Sequence, residues 1–506
     1  MIPPRTQVLW FGKEPDSFTQ NEFEHRDLLL NITPSDELEN LVPSCAAVFQ
    51  YDSENKSNFL GIIQNSRLTE MINHGLLIVF NCQDQNFIRL IQSKIPRDIA
   101  SDQNIVFTES MAAHKIAELI RRWNPEMPYS KDLKILGSSP SDFAELLLRR
   151  AFSDCVAITL QQLHGGLSGS AVYAVYAEFR PDINAGPYPL PFFAKIDKKP
   201  RVEQELAAYD RFVSNFIPFS QRPNLDKQRC LFSAMHGVLI GDFVDNAVPL
   251  TNIVHTSARR SVIYSLFDDA LRGWRRQGFL GSVSTLPESL LDCMQIDLNT
   301  NHIHKAVLEA ASRIGPIITP EKLVKRLKNE SIMEYRLGPI HGDLNTENVF
   351  ARNGEAILID FYKANRGPLV ADLASLEVTS IFRSTIRHVP SNEAHIANFL
   401  DEWRSVILEI YCSECLFNVP PPHNEPTQFA WLWDVCRELR LLARAIEPNC
   451  YQYLYCLVAY LVRESSFFDE KDKQASISVE IAGKGYYIAC RILNELAEKN
   501  GQQNAR

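Results

Sequence analysis

Residues 340–361, IHGDLNTENVFARNGEAILIDF, constrain the fold more than any other stretch of the chain. Two apolar runs flank Asn353-Gly354, a dipeptide suited to tight hairpin turns because both of its residues tolerate positive φ. A hairpin closed there sets Asn348, at the start of one strand, beside Asp360, at the end of the other. Asp343 lies five positions before Asn348. Two carboxylates and an amide thus gather at one end of a hairpin, and two accounts of them stand. Phosphoryl transfer needs one carboxylate facing an acceptor hydroxyl, and a second carboxylate with an amide oxygen to hold Mg²⁺. Polar residues that merely finish a buried hairpin give the same pattern without chemistry.

At 506 residues the chain exceeds what one hydrophobic core supports, so two or three domains are expected. The formal net charge of −9 argues against an extended nucleic-acid surface. Eleven cysteines follow no repeating spacing, and the closest pair, Cys412 and Cys415, lacks the second pair a zinc ribbon needs. Buried free thiols in a reducing compartment are the expectation. The start, MIPPRTQVLWFG, lacks the basic and apolar regions of a secretory signal. Apolar runs such as Leu76–Phe80 fall far short of the roughly 20 residues a membrane helix needs. A soluble, cytoplasmic protein with no membrane or nucleic-acid partner is expected.

Residues 6–124 alternate between two patterns. QVLWFG (7–12), DLLLNI (27–32), CAAVFQY (45–51), LLIVFN (76–81) and NIVFT (104–108) read as strands. Helix-like segments fall around 18–25, 35–42, 59–74, 86–95 and 110–123; in the third, Leu60, Ile63, Leu68, Met71 and Ile72 make an apolar face. Five strands alternating with five helices predict a doubly wound parallel α/β domain over residues 1–125. In count and length it resembles a response-regulator receiver, but the receiver's chemistry is missing. Strand one runs into Gly12-Lys13-Glu14 with no acidic pair, and Asp52 falls one or two residues past the acceptor position. Strand four ends in Asn81, and strand five in Thr108-Glu109 where a lysine belongs. A degenerate receiver-like (βα)5 module used for regulation or for docking a protein partner is expected, rather than phosphorylation at Asp52.

Prolines in WNPEMPYSKD (123–132) oppose a continuing helix, so residues 126–152 read as a linker and a helix. A β-rich lobe follows over 153–248, with AVYAVYAEF (171–179), FFAKID (192–197), a helix near 200–214 and GVLIGDFV (237–244). Helices dominate from about 255, giving a helical lobe over 249–497 and a polar tail at 498–506. The fold class is α/β followed by α+β.

The spacing H-x-D-x-x-x-x-N from His341 to Asn348 matches the protein-kinase catalytic loop, with Gly342 in place of arginine. With HGD-x-x-x-x-N followed by IDF, residues 155–470 resemble the aminoglycoside/choline kinase-like phosphotransferases. The resemblance implies a two-lobed protein-kinase-like fold with ATP and Mg²⁺ as cofactors. It also implies Asp343 as catalytic base, with Asn348 and Asp360 as metal ligands. Phe361-Tyr362 stands where protein kinases carry Phe-Gly, which puts a flipping activation loop in doubt. Asp372, in GPLVADLA, serves equally as a hydrogen-bonding support for the loop or as a helix cap.

Upstream, Lys195 ends the apolar strand FFAK, and an ammonium emerging there calls for a carboxylate partner. Glu203 and Glu205 both lie in the following helix; Glu205 shares a face with Ala208, Tyr209 and Phe212 and is preferred. A surface lysine at a strand end is the plain alternative. In the turn LHGGLSGSAVY (163–173), Gly165, Gly166 and Gly169 permit close backbone approach. Ser168 and Ser170 offer hydroxyls and amides to a nucleotide's phosphates. The spacing departs from G-x-G-x-x-G-x-V, so a bare hairpin also accounts for it.

Together these residues favour ATP- and Mg²⁺-dependent transfer of the γ-phosphoryl group to a hydroxyl of a small molecule or protein. A catalytically inactive nucleotide-binding sensor or scaffold competes, as does nucleotidyl transfer on the same fold. The acceptor is not legible. Asp401, Glu402, Glu464 and Asp469 offer charge for a cationic acceptor, and nothing in the sequence selects among them.

Overall fold

The computed structural model describes residues 7–504 except 27, 33–43, 52–59, 62–67, 69–70, 73–75, 96–103, 123–129, 131, 164–168, 182–187, 233–235, 282–283, 286–287, 299–302, 330–333, 422–426 and 468–474. Two compact units make up the chain, Met1–Leu206 with Asn224–Asp245 and Ala207–Pro223 with Asn246–Arg506. Asp52 and the helix-like segment at 35–42 lie outside the described residues.

In the first unit, β1 (Gln7–Gly12), β2 (Leu29–Ile32), β3 (Ser44–Gln50), β4 (Leu77–Asn81) and β5 (Ile105–Thr108) form a parallel sheet in the order β2-β1-β3-β4-β5. The central strands are apolar at nearly every position because both faces are covered. Leu9, Phe11, Ala47, Phe49, Ile78 and Phe80 face one core, which includes Met71, Phe87 and Ile91. Their neighbours Val8, Trp10, Ala46, Val48, Leu77 and Val79 face another, which includes Phe23 and Ile116. Phe11, Phe49, Phe80 and Phe107 stack across the first face, with successive ring centroids 4.7, 4.9 and 5.2 Å apart. Asp16 and Asp84 start the helices Ser17–Glu24 and Gln85–Lys94, each accepting from backbone amides of the first turn.

At the carboxyl ends of the strands the polar side chains are spent on one another. The Asn81 amide donates to Gln50 Oε1 and to the Met111 carbonyl, and its oxygen accepts from the Thr108 hydroxyl at 2.7 Å and the Met111 amide.

The second sheet of this unit adds β6 (Lys134–Gly137), β7 (Cys155–Gln162), β8 (Ala171–Phe179), β9 (Phe192–Lys198), β10 (Leu231–Phe232) and β11 (His236–Asp242), in the order β10-β11-β9-β8-β7-β6. The segment expected as a linker therefore contributes a strand: β6 pairs in parallel with β7. Four residues with no alternation carry little periodic signal, and pairing with β7 decides their conformation. The helix Asp142–Ala151 seals this sheet with Ala144, Leu147, Leu148 and Ala151. Asp154 and Arg229 form a buried two-bond ion pair of 2.6 and 2.7 Å, and the guanidinium lies within 5.7 Å of the Phe152, Phe179 and Phe192 rings.

The second unit is mostly helical. Cys450–Ser465 is its central helix, buried on nearly all sides. Ala371–Val378 and Ala475–Asn504 pack against it. The last helix runs through most of the residues expected as a polar tail. Glu377, wholly buried, takes bonds of 2.8 and 3.1 Å from Arg440 and one of 2.6 Å from the Tyr453 hydroxyl. No described helix is long and apolar enough to cross a membrane.

Candidate active site

In the second unit, Val349–Arg352 and Glu355–Leu358 pair antiparallel, Val349 opposite Leu358 and Arg352 opposite Glu355. Asn353 (φ 55°) and Gly354 (φ 82°) make the turn, both in the left-handed region. That register places Asn348 across from Ile359, whose amide donates to the Asn348 carbonyl at 3.0 Å. Asp360 follows with φ 60°, a conformation a non-glycine residue adopts only where its surroundings hold it.

The loop before the hairpin is folded by its own side chains. Asn345 Oδ1 accepts from the amides of Glu347 (2.9 Å) and Asn348 (3.1 Å), closing an Asx turn. Asn345 Nδ2 and Asn348 Nδ2 both donate to the Asp343 carbonyl, at 3.1 and 2.9 Å. The Asn348 amide nitrogen is thereby committed to the loop, which turns its oxygen away from that carbonyl. Gly342 has φ 73°, and a Cβ there would lie 2.5 Å from the Lys363 carbonyl oxygen, so the place where protein kinases carry arginine here admits only glycine.

Asp372 resolves the choice left open by the sequence. It sits inside the first turn of Ala371–Val378, whose N-cap is Val370, and it caps nothing there. Its buried carboxylate instead accepts from the backbone amides of His341 (2.7 Å) and Gly342 (3.1 Å). Burial pushes its proton affinity up, and His341 and the two amides oppose that rise. His341 Nε2 lies 2.9 Å from the Ile359 carbonyl, so this nitrogen carries the hydrogen, and the loop is tied to the strand leading to Asp360. His341 Nδ1 is buried and has no partner among the described residues.

Asp343 has a partner that no motif announces. Arg463 Nη2, from the last turn of Cys450–Ser465, donates to Asp343 Oδ1 at 2.6 Å. Burial alone would raise the Asp343 carboxyl, but Arg463 and Lys363 beside it hold it below the ordinary carboxylate range. One signal pointed to Arg463: it is the first charged residue in the apolar run CYQYLYCLVAYLVR, and a charge in such a helix needs a partner.

In the first unit, Lys195 Nζ donates to Glu205 Oε2 at 2.8 Å, with both side chains largely buried. The structure thus pairs Lys195 with Glu205 in the helix Lys199–Ala208, while Glu203 is exposed. Gly169 adopts φ 73°, and the Ser170 hydroxyl donates to Asp197 Oδ2 at 2.6 Å. That hydroxyl's proton is directed at the carboxylate. Gly165, Gly166 and Ser168 lie outside the described residues.

The acidic side chains considered for a cationic acceptor are engaged elsewhere. Glu464 takes bonds of 2.6 and 3.2 Å from Arg383, Asp401 pairs with Arg404, and Glu402 accepts from Thr427 and Gln428. Asp469 lies outside the described residues. Cys412 caps the short helix that contains Cys415, and no group suited to hold a metal ion through three or more His, Cys, Asp or Glu side chains occurs among the described residues.

Residues 306–406 match the phosphotransferase enzyme family known as APH. The chain resembles the phosphotransferases of that family. The matching span contains the Asp343 loop, the hairpin, Asp360 and Asp372, and leaves out Lys195 and Arg463. No curated protein sequence matches the chain. Among solved structures, it is similar to an aminoglycoside phosphotransferase from Streptomyces rimosus at 16% identity over 57% of this chain and 96% of that one, with a TM-score of 0.29. A choline kinase from Cryptosporidium parvum aligns at 14% identity over 68% and 91%, with a TM-score of 0.33. A glucosamine kinase bound to glucosamine, ADP and phosphate aligns at 12% over 73% and 89%, with a TM-score of 0.34. These are distant likenesses.

Proposed function

We propose that the protein is an ATP- and Mg²⁺-dependent phosphotransferase that moves a γ-phosphoryl group to a hydroxyl of a small molecule. The observation that supports this best is the meeting of Asp343 and Asn348 on one loop, joined by the 2.9 Å amide-to-carbonyl bond, at the hairpin end that carries Asp360. In this reading Asp343 orients the acceptor hydroxyl and takes its proton. Lys195, held by Glu205, neutralises the nucleotide's phosphates, and Gly165, Gly166, Ser168, Gly169 and Ser170 are the residues proposed to bind them.

The donor set fits the metal. The Asn348 amide oxygen and the Asp360 carboxylate are hard oxygen ligands of the kind Mg²⁺ takes, and no described soft-ligand cluster competes with them. Mg²⁺ bound there would neutralise phosphate charge. The match of residues 306–406 to a phosphotransferase family supports the same class. We propose for the N-terminal domain a regulatory or docking role without phosphorylation, because Gly12-Lys13-Glu14 and Thr108-Glu109 stand where a receiver carries its acidic pair and its lysine.

The test is ADP formation from ATP by wild type and Asp343→Asn, with water alone and with hexoses, amino sugars and amino alcohols as acceptors. The variant is expected to lose about 10²- to 10⁴-fold in turnover while binding nucleotide as before. Equal rates would remove Asp343 from the mechanism. A nucleotidylated acceptor would assign nucleotidyl transfer instead, and tight ATP binding without product would assign a sensor.

A further inference from the structure

Arg463 stands 120 positions from Asp343, yet its Nη2 donates to Asp343 Oδ1 at 2.6 Å. Its side chain is only 10% exposed, and a buried guanidinium costs several kcal/mol unless its surroundings repay it. Those surroundings are specific. The guanidinium carbon lies 5.9 Å from the Tyr460 ring centroid and 5.4 Å from that of Phe467, which limits where the group can swing. The adjacent carboxylate, Glu464, is engaged by two bonds from Arg383, so Arg463 is directed to Asp343.

What Arg463 adds is the last missing constraint on Asp343. The loop already pins the backbone of that residue, since Asn345 and Asn348 both donate to its carbonyl. Neither bond fixes the side-chain torsions. Arg463 grips Oδ1, and Oδ2 makes no hydrogen bond among the described residues. We propose that Arg463 is a positioning residue for phosphoryl transfer, holding Oδ1 of Asp343 so that Oδ2 is the oxygen presented to the acceptor hydroxyl. The proposal rests on the phosphotransferase reading of Asp343. Its physical basis is that a misplacement of about 1 Å at a reacting group costs on the order of 10²-fold in rate.

The experiment compares ADP release by the wild-type chain, Arg463→Ala, Arg463→Lys and Ser465→Ala, with water and with the acceptor panel above. Ser465→Ala removes the bond from this helix end to the Ala482 carbonyl without touching Asp343, Arg463 or Glu464, and so reports what simple disruption of the helix end costs. Arg463→Ala is expected to lose about 10- to 100-fold in kcat with KM for ATP within about twofold of wild type. Millimolar guanidinium should restore part of the loss, and Ser465→Ala should keep kcat within about twofold. Arg463→Lys should fall between the two, because an ammonium keeps the charge without the planar fork. If Arg463→Ala does not fold, the lysine variant carries the test, and wild-type kcat in it overturns the proposal. Unchanged kcat in Arg463→Ala overturns it as well, as does an equal loss in Ser465→Ala without guanidinium rescue. A wild type that forms no ADP overturns the phosphotransferase reading and this proposal together, whereas an active wild type with an indifferent Arg463 overturns only the latter.

Discussion

Replacing Asp372 by alanine should release the candidate catalytic loop before it unfolds the protein. The carboxylate accepts from two buried backbone amides, His341 at 2.7 Å and Gly342 at 3.1 Å. Hydrogen bonds to a charged group contribute about 1.5–3 kcal/mol each, and buried amides left unpaired cost a similar amount, so the loop loses about 3–6 kcal/mol. Its remaining ties include the Asn345 turn, the bond between His341 and Ile359, the bond from Arg463 to Asp343 and the hairpin, and these keep the second unit folded while residues 341–344 open more often. At 1.4 kcal/mol per tenfold, a loss of about 3 kcal/mol raises the open population more than a hundredfold. Hydrogen exchange of a peptide spanning 337–349 should speed up by at least that factor, with kcat falling about a hundredfold. Asp372→Asn keeps one acceptor oxygen but turns its NH₂ toward an amide, so it should lie between wild type and alanine. Unchanged exchange over 337–349 together with wild-type turnover in Asp372→Ala would refute the reasoning.

Two further outcomes concern stability. Arg440→Met should cost about 3–5 kcal/mol, because it strands the buried Glu377 carboxylate together with the Ile410 and Cys415 carbonyls that Arg440 also satisfies. Adding Glu377→Leu should recover only part of it, since those carbonyls and the Tyr453 hydroxyl stay unpaired; full recovery in urea titrations would contradict this. The pairing of Asp154 with Arg229 predicts a pH dependence. Burial opposes the Asp154 charge, but the bonds and charge of Arg229 hold its carboxyl below the ordinary 3.8. A folded value below the unfolded one means stability that is full above the unfolded value and lost as pH falls through the folded one. The gap in urea midpoint between wild type and Asp154→Asn should therefore be widest above about pH 5 and shrink below about pH 3.

Much of the architecture was legible where local rules govern it. The Asn353-Gly354 turn is readable because few dipeptides accept positive φ twice, and the turn alone brings Asn348 next to the residue before Asp360. The apolar runs of β1, β3 and β4 are readable because sheets covered on both faces leave no polar alternation. Glu205 follows from helical spacing behind Lys195. The strand Lys134–Gly137 escaped because four residues in a proline-flanked segment carry too little pattern, and its pairing with β7 is what makes it a strand.

By itself, then, the sequence determined the elements whose causes lie within a few residues: strand, turn, helix face, and the spacing from Asp343 to Asn348 to Asp360. Only the tertiary structure decided which groups act on those residues from a distance. Asp372 reaches back about thirty positions to two loop amides, and Arg463 reaches back 120 to one carboxylate oxygen. The physical reason is the same for both. A buried charge must find a partner somewhere, but chain connectivity does not say where, so the partner becomes visible only once packing has brought the helices together.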